Sequence, residues 1–364
     1  MAVMILAVII AGCATTTSPS AGTSAAASPP GAPTPFVTDH PTGSPPSLAD
    51  AVVDLPSAEG GLNAIWSGDG TIVAGGFAGP DFTSTILAFD GTSWSVAEVP
   101  DEPGQVTGIA RIGNRIIAVG NGLPDIRHGF IWESEDGRIW HTLRTIEDAA
   151  LYDVIAGDGV IVAAGADLDA EMNATAMAWF STDGANWEQA EVASAVGTSI
   201  GSVTATVEGF AATGDRRLGE ARPFWQAKAA SSWTAVQNDL GDQLLPSDIV
   251  AWGDRLALAG ASGKSGDQHP FVALSPDGQR WERTILSEAE GYASAAVVVN
   301  DRLVVAGIDG DRLTLWSLRD GAWDADTYEQ SGASISALTW VADVGLVAVG
   351  ARDGRHATWV FEGD

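Results

Sequence analysis

Seven copies of one short pattern recur along this chain, and each copy is an apolar run that ends in glycine. The first copy is Val73–Gly76, and the glycines that end the copies lie 43 to 49 residues apart. They are Gly76, Gly120, Gly165, Gly214, Gly260, Gly307 and Gly350. A repeat of this length is the blade period of a β-propeller, in which each blade needs its neighbours to bury its faces.

The text inside each repeat predicts strands. Apolar runs of four to eight residues are separated by two-residue turn signals, as in Leu151–Gly165, where Asp158 and Gly159 divide two such runs. A third run usually carries Trp, and a fourth opens on another Trp. The sequence therefore predicts an all-β fold, a seven-bladed β-propeller of four-stranded antiparallel blades.

The last repeat predicts how the ring closes. Its third strand holds Trp359, and the sequence given ends at Asp364 before a fourth strand. Near the start, Ala51–Pro56 resembles the fourth-strand text Ser95–Pro100. We expect residues near 50 to 56 to complete the last blade as an N-terminal strand, which removes open sheet edges.

A second pattern marks the turn before the fourth strand. The text S-x-D-G-x-x-W occurs three times, with degraded copies that include Asp90–Trp94 and Asp320–Trp323. The complete copies are Ser134–Trp140, Ser181–Trp187 and Ser275–Trp281. This pattern resembles the Asp-box, or BNR repeat, of sialidase-like propellers. The Ser and Asp side chains suit turn amides, and the Gly suits a positive φ. The resemblance implies that Asp136, Asp183 and Asp277 are structural and lie opposite the ligand face.

The N-terminus predicts export. Residues 1–12 are almost wholly apolar and precede Cys13, the only cysteine, and this arrangement resembles a bacterial lipobox. A dozen apolar residues are too few to span about 30 Å of hydrocarbon. We expect a signal peptide at 1–12, a lipidated Cys13 with a disordered Pro/Ser/Thr/Ala-rich tether at 13–48, and the propeller at 49–364. The expected location is the outer face of the bacterial cytoplasmic membrane; the alternative is a buried, unmodified cysteine.

The charge balance excludes one class of partner. The formal charge is −29, and only two of the acids, Asp39 and Asp50, lie in the first 50 residues. A ring this acidic is not expected to bind nucleic acid, because phosphate contacts need a basic surface. An acidic, solvated surface explains the same composition, and we expect a monomer.

The few cations suggest a ligand-binding rim. Several stand one to three residues before the predicted third strands, on the side of the links between blades. They are Arg127, His128, Arg222, His269, Arg312, Arg355 and His356. One hypothesis is that they meet an anionic or polar ligand such as a carboxylated glycan. The alternative is that each pairs with an acid of its own loop, such as Asp125 or Asp309.

The resemblance also implies an enzyme that must be weighed. Sialidases use an arginine triad, a Tyr nucleophile with a Glu partner, and an Asp acid/base, and here Tyr292 with Glu290 is the nearest match. The Arg-Ile-Pro signature of those enzymes is missing, and they have six blades, so we lean against catalysis. No cofactor or metal is predicted; Asp167, Asp169 and Glu171 form a weak Ca²⁺ candidate that lacks the terminal Glu of an EF-hand loop.

These features predict a lipid-anchored, extracytoplasmic β-propeller that serves as a binding or scaffolding module. Its expected partners are the membrane, through the lipid on Cys13, and a glycan or a surface or exported protein. The alternative is a sialidase-like glycoside hydrolase.

Overall fold

The computed structural model describes residues 52–53, 55–56, 58–193, 197–214, 224–241, 243–264 and 266–361, and all of them lie in one compact unit. Their regular structure is almost entirely β-strand. The predicted signal peptide, Cys13 and the tether lie outside the described residues. Among the residues that are described, we find no helix with the length and apolar character needed to cross a bilayer.

The first three blades are four-stranded antiparallel sheets with their strands in chain order. Blade 1 contains β1 (Gly60–Gly68), β2 (Thr71–Ala78), β3 (Thr83–Phe89) and β4 (Trp94–Val96). Blade 2 contains β5 (Gln105–Ile112), β6 (Arg115–Asn121), β7 (His128–Ser134) and β8 (His141–Glu147). Blade 3 contains β9 (Ala149–Gly157), β10 (Val160–Leu168), β11 (Ala174–Ser181) and β12 (Glu188–Gln189).

The next three blades repeat this order. A short strand, β13 (Glu191–Ala193), first pairs in parallel with the outer strand of blade 4. Blade 4 contains β14 (Val203–Thr206), β15 (Gly209–Thr213), β16 (Phe224–Ala229) and β17 (Ser232–Val236). Blade 5 contains β18 (Leu244–Trp252), β19 (Arg255–Lys264), β20 (Asp267–Ser275) and β21 (Glu282–Ile285). Blade 6 contains β22 (Gly291–Val299), β23 (Arg302–Asp309), β24 (Arg312–Arg319) and β25 (Ala322–Tyr328).

Blade 7 contains β26 (Ala333–Val341), β27 (Gly345–Arg352) and β28 (Arg355–Phe361). The first strand of each blade contacts the first strand of the next, and β1 packs on β26 and β27, so the blades form a closed ring. The predicted seven-bladed propeller is confirmed. Because neighbouring strands are antiparallel, the turns between strands 1 and 2 and between strands 3 and 4 share one end of the ring, the turn face. The loops between strands 2 and 3 and the links between blades share the other, the loop face.

In six of the seven repeats, the glycine that ends the repeat faces a β-bulge in the first strand of its blade; the exception is Gly214 in blade 4, where the first two strands pair without a register shift. The pairing of β1 with β2 shifts register between Leu62 and Ala64, and a methyl group on Gly76 would collide with the carbonyl oxygen of Gly61. In blade 6, Gly307 is pressed in the same way against the carbonyl oxygen of a first-strand residue. The bulge thus explains why glycine recurs at this position.

The N-terminal segment reaches the predicted seam between blades 7 and 1, but not as a strand. The described part of blade 7 has three strands, and Val52 and Val53 have helical backbone. Pairing with β28 is limited to a bridge from Glu59 to Arg355 and the adjoining backbone bonds. The helical backbone allows Val52 to bury its side chain while its carbonyl accepts a hydrogen bond from the indole of Trp94. The predicted closing strand is therefore wrong in its conformation.

Candidate functional site

The three complete Asp-boxes form the same turn on the turn face. In Ser134–Trp140, the hydroxyl of Ser134 accepts a hydrogen bond from the amide of Gly137 at 2.9 Å. The carboxylate of Asp136 accepts from the next two amides, at 2.8 and 3.2 Å. The indole of Trp140 donates to the carbonyl of Gly137 at 2.9 Å. The other two boxes make the same bonds at similar distances.

These bonds keep the box carboxylates ionised. The amide and side chain of Asn186 hold the pKa of Asp183 well below its ordinary value, and the amides of Arg280 and Gln279 do the same for Asp277. Burial raises the pKa of Asp136, but the amides after it outweigh this, and the pKa is lowered. The carboxylates are thus occupied by their own turns.

The predicted rim arginines lie at the loop-face ends of third strands, beside acids. Arg127 donates from its Nε to Asp148 at 2.9 Å, and its guanidinium forms an ion pair with the same carboxylate. Arg312 lies 3.6 Å from Asp309. Arg222 lies outside the described residues. Arg312 therefore pairs with an acid of its own loop, whereas the partner of Arg127 lies in the link to blade 3 and not in its own loop.

The predicted rim histidines are engaged as well. His128 lies 3.0 Å from Glu147, and His269 hydrogen-bonds through Nδ1 to a backbone carbonyl at 3.1 Å. His356 is buried, and its Nε2 lies 2.8 Å from the carbonyl of Phe77 in blade 1. Arg355 also has an interaction partner. The structure therefore does not gather these cations into one open cluster.

The residues of the alternative enzyme hypothesis show no activation. Burial raises the pKa of Tyr292, so the phenol would need an adjacent general base to act as a nucleophile. The carbonyl of Glu290 accepts a hydrogen bond from the amide of Gly310 at 2.8 Å. This places Glu290 in the link to blade 6, without a side-chain bond to Tyr292.

The weak calcium candidate is a self-bonded loop. Asp169 accepts hydrogen bonds from the amides of Glu171 at 3.0 Å and Asn173 at 2.8 Å, and from the side chain of Asn173 at 2.8 Å. These bonds occupy the carboxylate that a cation would need. Among the residues that the structure describes, no group of three or more His, Cys, Asp or Glu is arranged to hold a metal ion.

Two carboxylates that sequence reasoning missed join the first strands of successive blades. Asp153 in blade 3 accepts a hydrogen bond from the amide of Val203 in blade 4 at 2.8 Å. Ser202 in blade 4 donates to Asp248 in blade 5 at 2.9 Å. Asp248 in turn accepts from the amide of Ala296 in blade 6 at 2.8 Å. We call this chain of contacts the inter-blade belt.

The belt holds an unusual carboxyl group. Burial raises the pKa of Asp153 to about 7, and the charge of Asp248 adds to the rise, although the amide of Val203 opposes it. Burial also raises the pKa of Asp248. Both residues retain partial solvent access. Every bond from these carboxylates goes to backbone or to Ser202, so the belt is a structural element.

A groove of about 940 Å³ crosses the seam between blades 5 and 6 on the turn face. It lies where the box turn of blade 6 is short: two residues, Asp320 and Gly321, join β24 to β25, whereas six, Pro276–Trp281, join β20 to β21. A complete box packs against the preceding blade, as Gly278 packs near Phe224 of blade 4. The shortened turn of blade 6 leaves that space open.

The groove brings together residues that sequence reasoning did not group. Its lining includes Trp252, Trp323 and three arginines, Arg255, Arg302 and Arg319. Within the described part of the chain, none of the three guanidinium groups has a hydrogen-bond or ion-pair partner. The one available signal was the degraded copy Asp320–Trp323, whose shortness opens the space.

Comparisons with known proteins support the fold. No protein-family model matches the chain, and no curated protein matches it. The WD40 β-propeller domain of Doa1 is similar, with a TM-score of 0.53 and 13% identity over 85% of this chain and 96% of that one. The β-propeller domain of the Trilobed protease from Pyrococcus furiosus is also similar, with a TM-score of 0.53 and 11% identity over 84% of this chain and 94% of that one. The Hadza microbial sialidase Hz136 has a TM-score of 0.49 and 13% identity over 78% of this chain and 68% of that one. The two likenesses with a TM-score above 0.5 show the propeller fold alone.

Proposed function

We propose that this protein is a lipid-anchored, extracytoplasmic binding module for a glycan or a protein partner, and that its ligand site is the groove between blades 5 and 6. The observation that carries the proposal is the set of three unpaired guanidinium groups beside two indoles in one open groove. In a chain with 18 Lys and Arg against 47 Asp and Glu, cations without partners need a reason. Ligand binding supplies one.

The groove and the predicted rim lie on opposite faces of the ring, and their cations differ in whether they have acidic partners. The rim cations lie on the loop face, where Arg127 and Arg312 already have acidic partners. The groove arginines lie on the turn face and are free to form bidentate contacts with a ligand. A lipid on Cys13 and the tether at 13–48 would hold the ring near the membrane surface. Either face of the ring would then be able to meet a partner.

Catalysis is the less supported function. A sialidase-like hydrolase would need a general base bonded to Tyr292, and in the described structure Glu290 makes no side-chain hydrogen bond to it. Tyr292 also does not line the groove. We therefore expect saturable binding without turnover of an aryl glycoside.

The test is an array of glycans and cell-envelope proteins probed with three forms of the protein. These are the wild type, a groove variant, Trp323→Ala, and a rim variant, Arg127→Ala/Arg312→Ala. We expect binding that the groove variant loses and the rim variant keeps. Loss in the rim variant alone would assign the site to the loop face. Binding by none of the proteins would overturn the binding function.

A further inference from the structure

We infer that the groove between blades 5 and 6 binds an acidic polysaccharide, a chain of sugar rings that carries carboxylate groups. This inference rests on the proposed binding function and names its ligand class. It follows from the two indoles, the three guanidinium groups and the acids that line the same space.

The aromatic part of the groove is held in place before any ligand arrives. The indole of Trp252 donates a hydrogen bond to the carbonyl oxygen of Asp301 at 2.7 Å, which links blade 5 to the first turn of blade 6. Trp323 lies at the start of β25, where its strand pairs with β24. Rigid, partly exposed aromatic rings lose little entropy on binding, and they suit the apolar faces of sugar rings.

The guanidinium groups favour a carboxylate. Arg255 belongs to blade 5, and Arg302 and Arg319 belong to blade 6, so the cations flank the seam from both sides. A guanidinium forms two parallel hydrogen bonds with a carboxylate, and the geometry of these bonds makes them selective. A ligand that lies along the seam meets cations from both blades.

The acids of the groove narrow the choice of ligand. Glu282, Asp301 and Asp320 also line it, and each lacks an ion pair with the three arginines. Carboxylates accept hydrogen bonds from hydroxyl groups but repel a densely charged polyanion such as a nucleic acid. A ligand that alternates hydroxyls with occasional carboxylates satisfies both kinds of lining residue. An acidic polysaccharide has this composition, and an acidic peptide supplies few hydroxyls.

The size and openness of the groove agree with a chain ligand. At about 940 Å³ it falls near the upper end of small-molecule sites, which run to roughly 1,000 Å³. It is open to solvent and is lined by residues of two blades, so a ligand longer than one sugar ring can contact both of them.

The test is a calorimetric titration of the full-length protein with polygalacturonate fragments. The matched probe is the same polymer after its carboxyl groups are reduced, which leaves the sugar rings and hydroxyls but removes the charge. The variant is Arg302→Ala/Arg319→Ala. Its control is Arg280→Ala. Arg280 is an exposed arginine of blade 5 that is bound to Asp277 of the same Asp-box, and it does not line the groove. Both arginines of the double variant are at the surface or partly exposed, so the fold should survive the change.

We expect polygalacturonate to bind at least tenfold more tightly than the reduced polymer, and we expect the double variant to lose this preference while Arg280→Ala keeps it. Equal binding of both polymers, weakened by Trp323→Ala, would overturn the acidic class but leave the groove as a glycan site. Saturable binding of polyglutamate alone, lost in the double variant, would make the ligand an acidic peptide and overturn the inference, while the binding function stands. Binding of none of these probes would overturn the inference and leave the array to decide the function.

Discussion

The indole nitrogen of Trp94 donates a hydrogen bond of 2.6 Å to the carbonyl oxygen of Val52, and both side chains are buried at the seam between blades 7 and 1. In a complete box the indole bonds to the glycine of its own turn, as Trp140 does with Gly137. Blade 1 has a degraded box, and its Trp is bonded to the N-terminal segment instead. The seam that has to close the ring thus uses an indole that its own turn does not occupy.

Replacing Val52 by Ala should destabilise the ring. Its side chain is fully buried, and removing two methyl groups should lower the free energy of unfolding by about 1–3 kcal/mol. Its neighbour Val53 is 42% exposed, and Val53→Ala should change stability by less than about 0.5 kcal/mol. Urea denaturation of the two variants gives the comparison. Equal effects would show that the segment does not pack as described.

Replacing Gly307 by Ala should be severely destabilising. The new methyl group would overlap the carbonyl oxygen of Tyr292 at the bulge, and relief would require breaking the ladder between β22 and β23. We expect a loss of at least about 2 kcal/mol in urea denaturation. The control is Gly310→Asn, at a turn with φ of 67° and no atom within 4 Å of an added Cβ, since Asn tolerates this conformation. A mild effect of Gly307→Ala would contradict the role given to the bulge.

Asp153 should make the protein less stable as the pH rises from about 4 to about 7. Its folded pKa of about 7 lies above the ordinary aspartate pKa of 3.8, so the folded state binds more protons across this interval. The loss should reach at most about 4 kcal/mol, because each pKa unit is worth about 1.4 kcal/mol. Asp153→Asn imitates the protonated form and should remove this slope. Free energies of unfolding measured from pH 4 to 8 decide, and parallel curves for the two proteins would refute the prediction.

His356 should have the opposite effect on the pH dependence of stability: it should make the protein more stable as the pH rises toward 6.5. Burial lowers its pKa below 6.5, and its Nδ1 is buried without a hydrogen-bond partner in the described structure, so a second proton has no acceptor. The stability it contributes is present above pH 6.5 and is lost as the pH falls below that value. His356→Gln should flatten this part of the curve, and the Asp153→Asn background isolates the effect. The comparison is between Asp153→Asn and Asp153→Asn/His356→Gln. If the free energy of unfolding of both proteins has the same slope below pH 6.5, the histidine is not responsible.

The blade count and the strand order were predictable because their signals are local. Two-residue turns such as Asp158-Gly159 adopt the positive φ values, 51° and 73°, that their residue types favour. The Asp-box turn is equally local, since every hydrogen bond of the Ser134 and Asp136 side chains is made within their own seven residues.

The features that were missed depend on the closed ring. The bond from Val203 to Asp153 joins residues 50 positions apart, and no spacing rule marks either of them. The groove depends on the length of one turn in blade 6 and on Trp252 in blade 5. The closure was misread because Ala51–Pro56 resembles a fourth strand in composition, while the burial of Val52 and its bond to Trp94 set the backbone.

The inter-blade belt and β13 both connect a blade to the blade that follows it in the chain. Asp153 reaches forward to blade 4, Ser202 reaches forward to blade 5, and β13 leaves blade 3 to pair with the outer strand of blade 4. Blades 3 and 4 thus each make side-chain or strand contacts with the blade that follows them in the chain. A chain that emerges amino terminus first can add its blades in order, and only the final seam requires two distant parts of the chain to meet. The contact between blades 7 and 1 is the one contact between neighbouring blades that joins distant parts of the described chain.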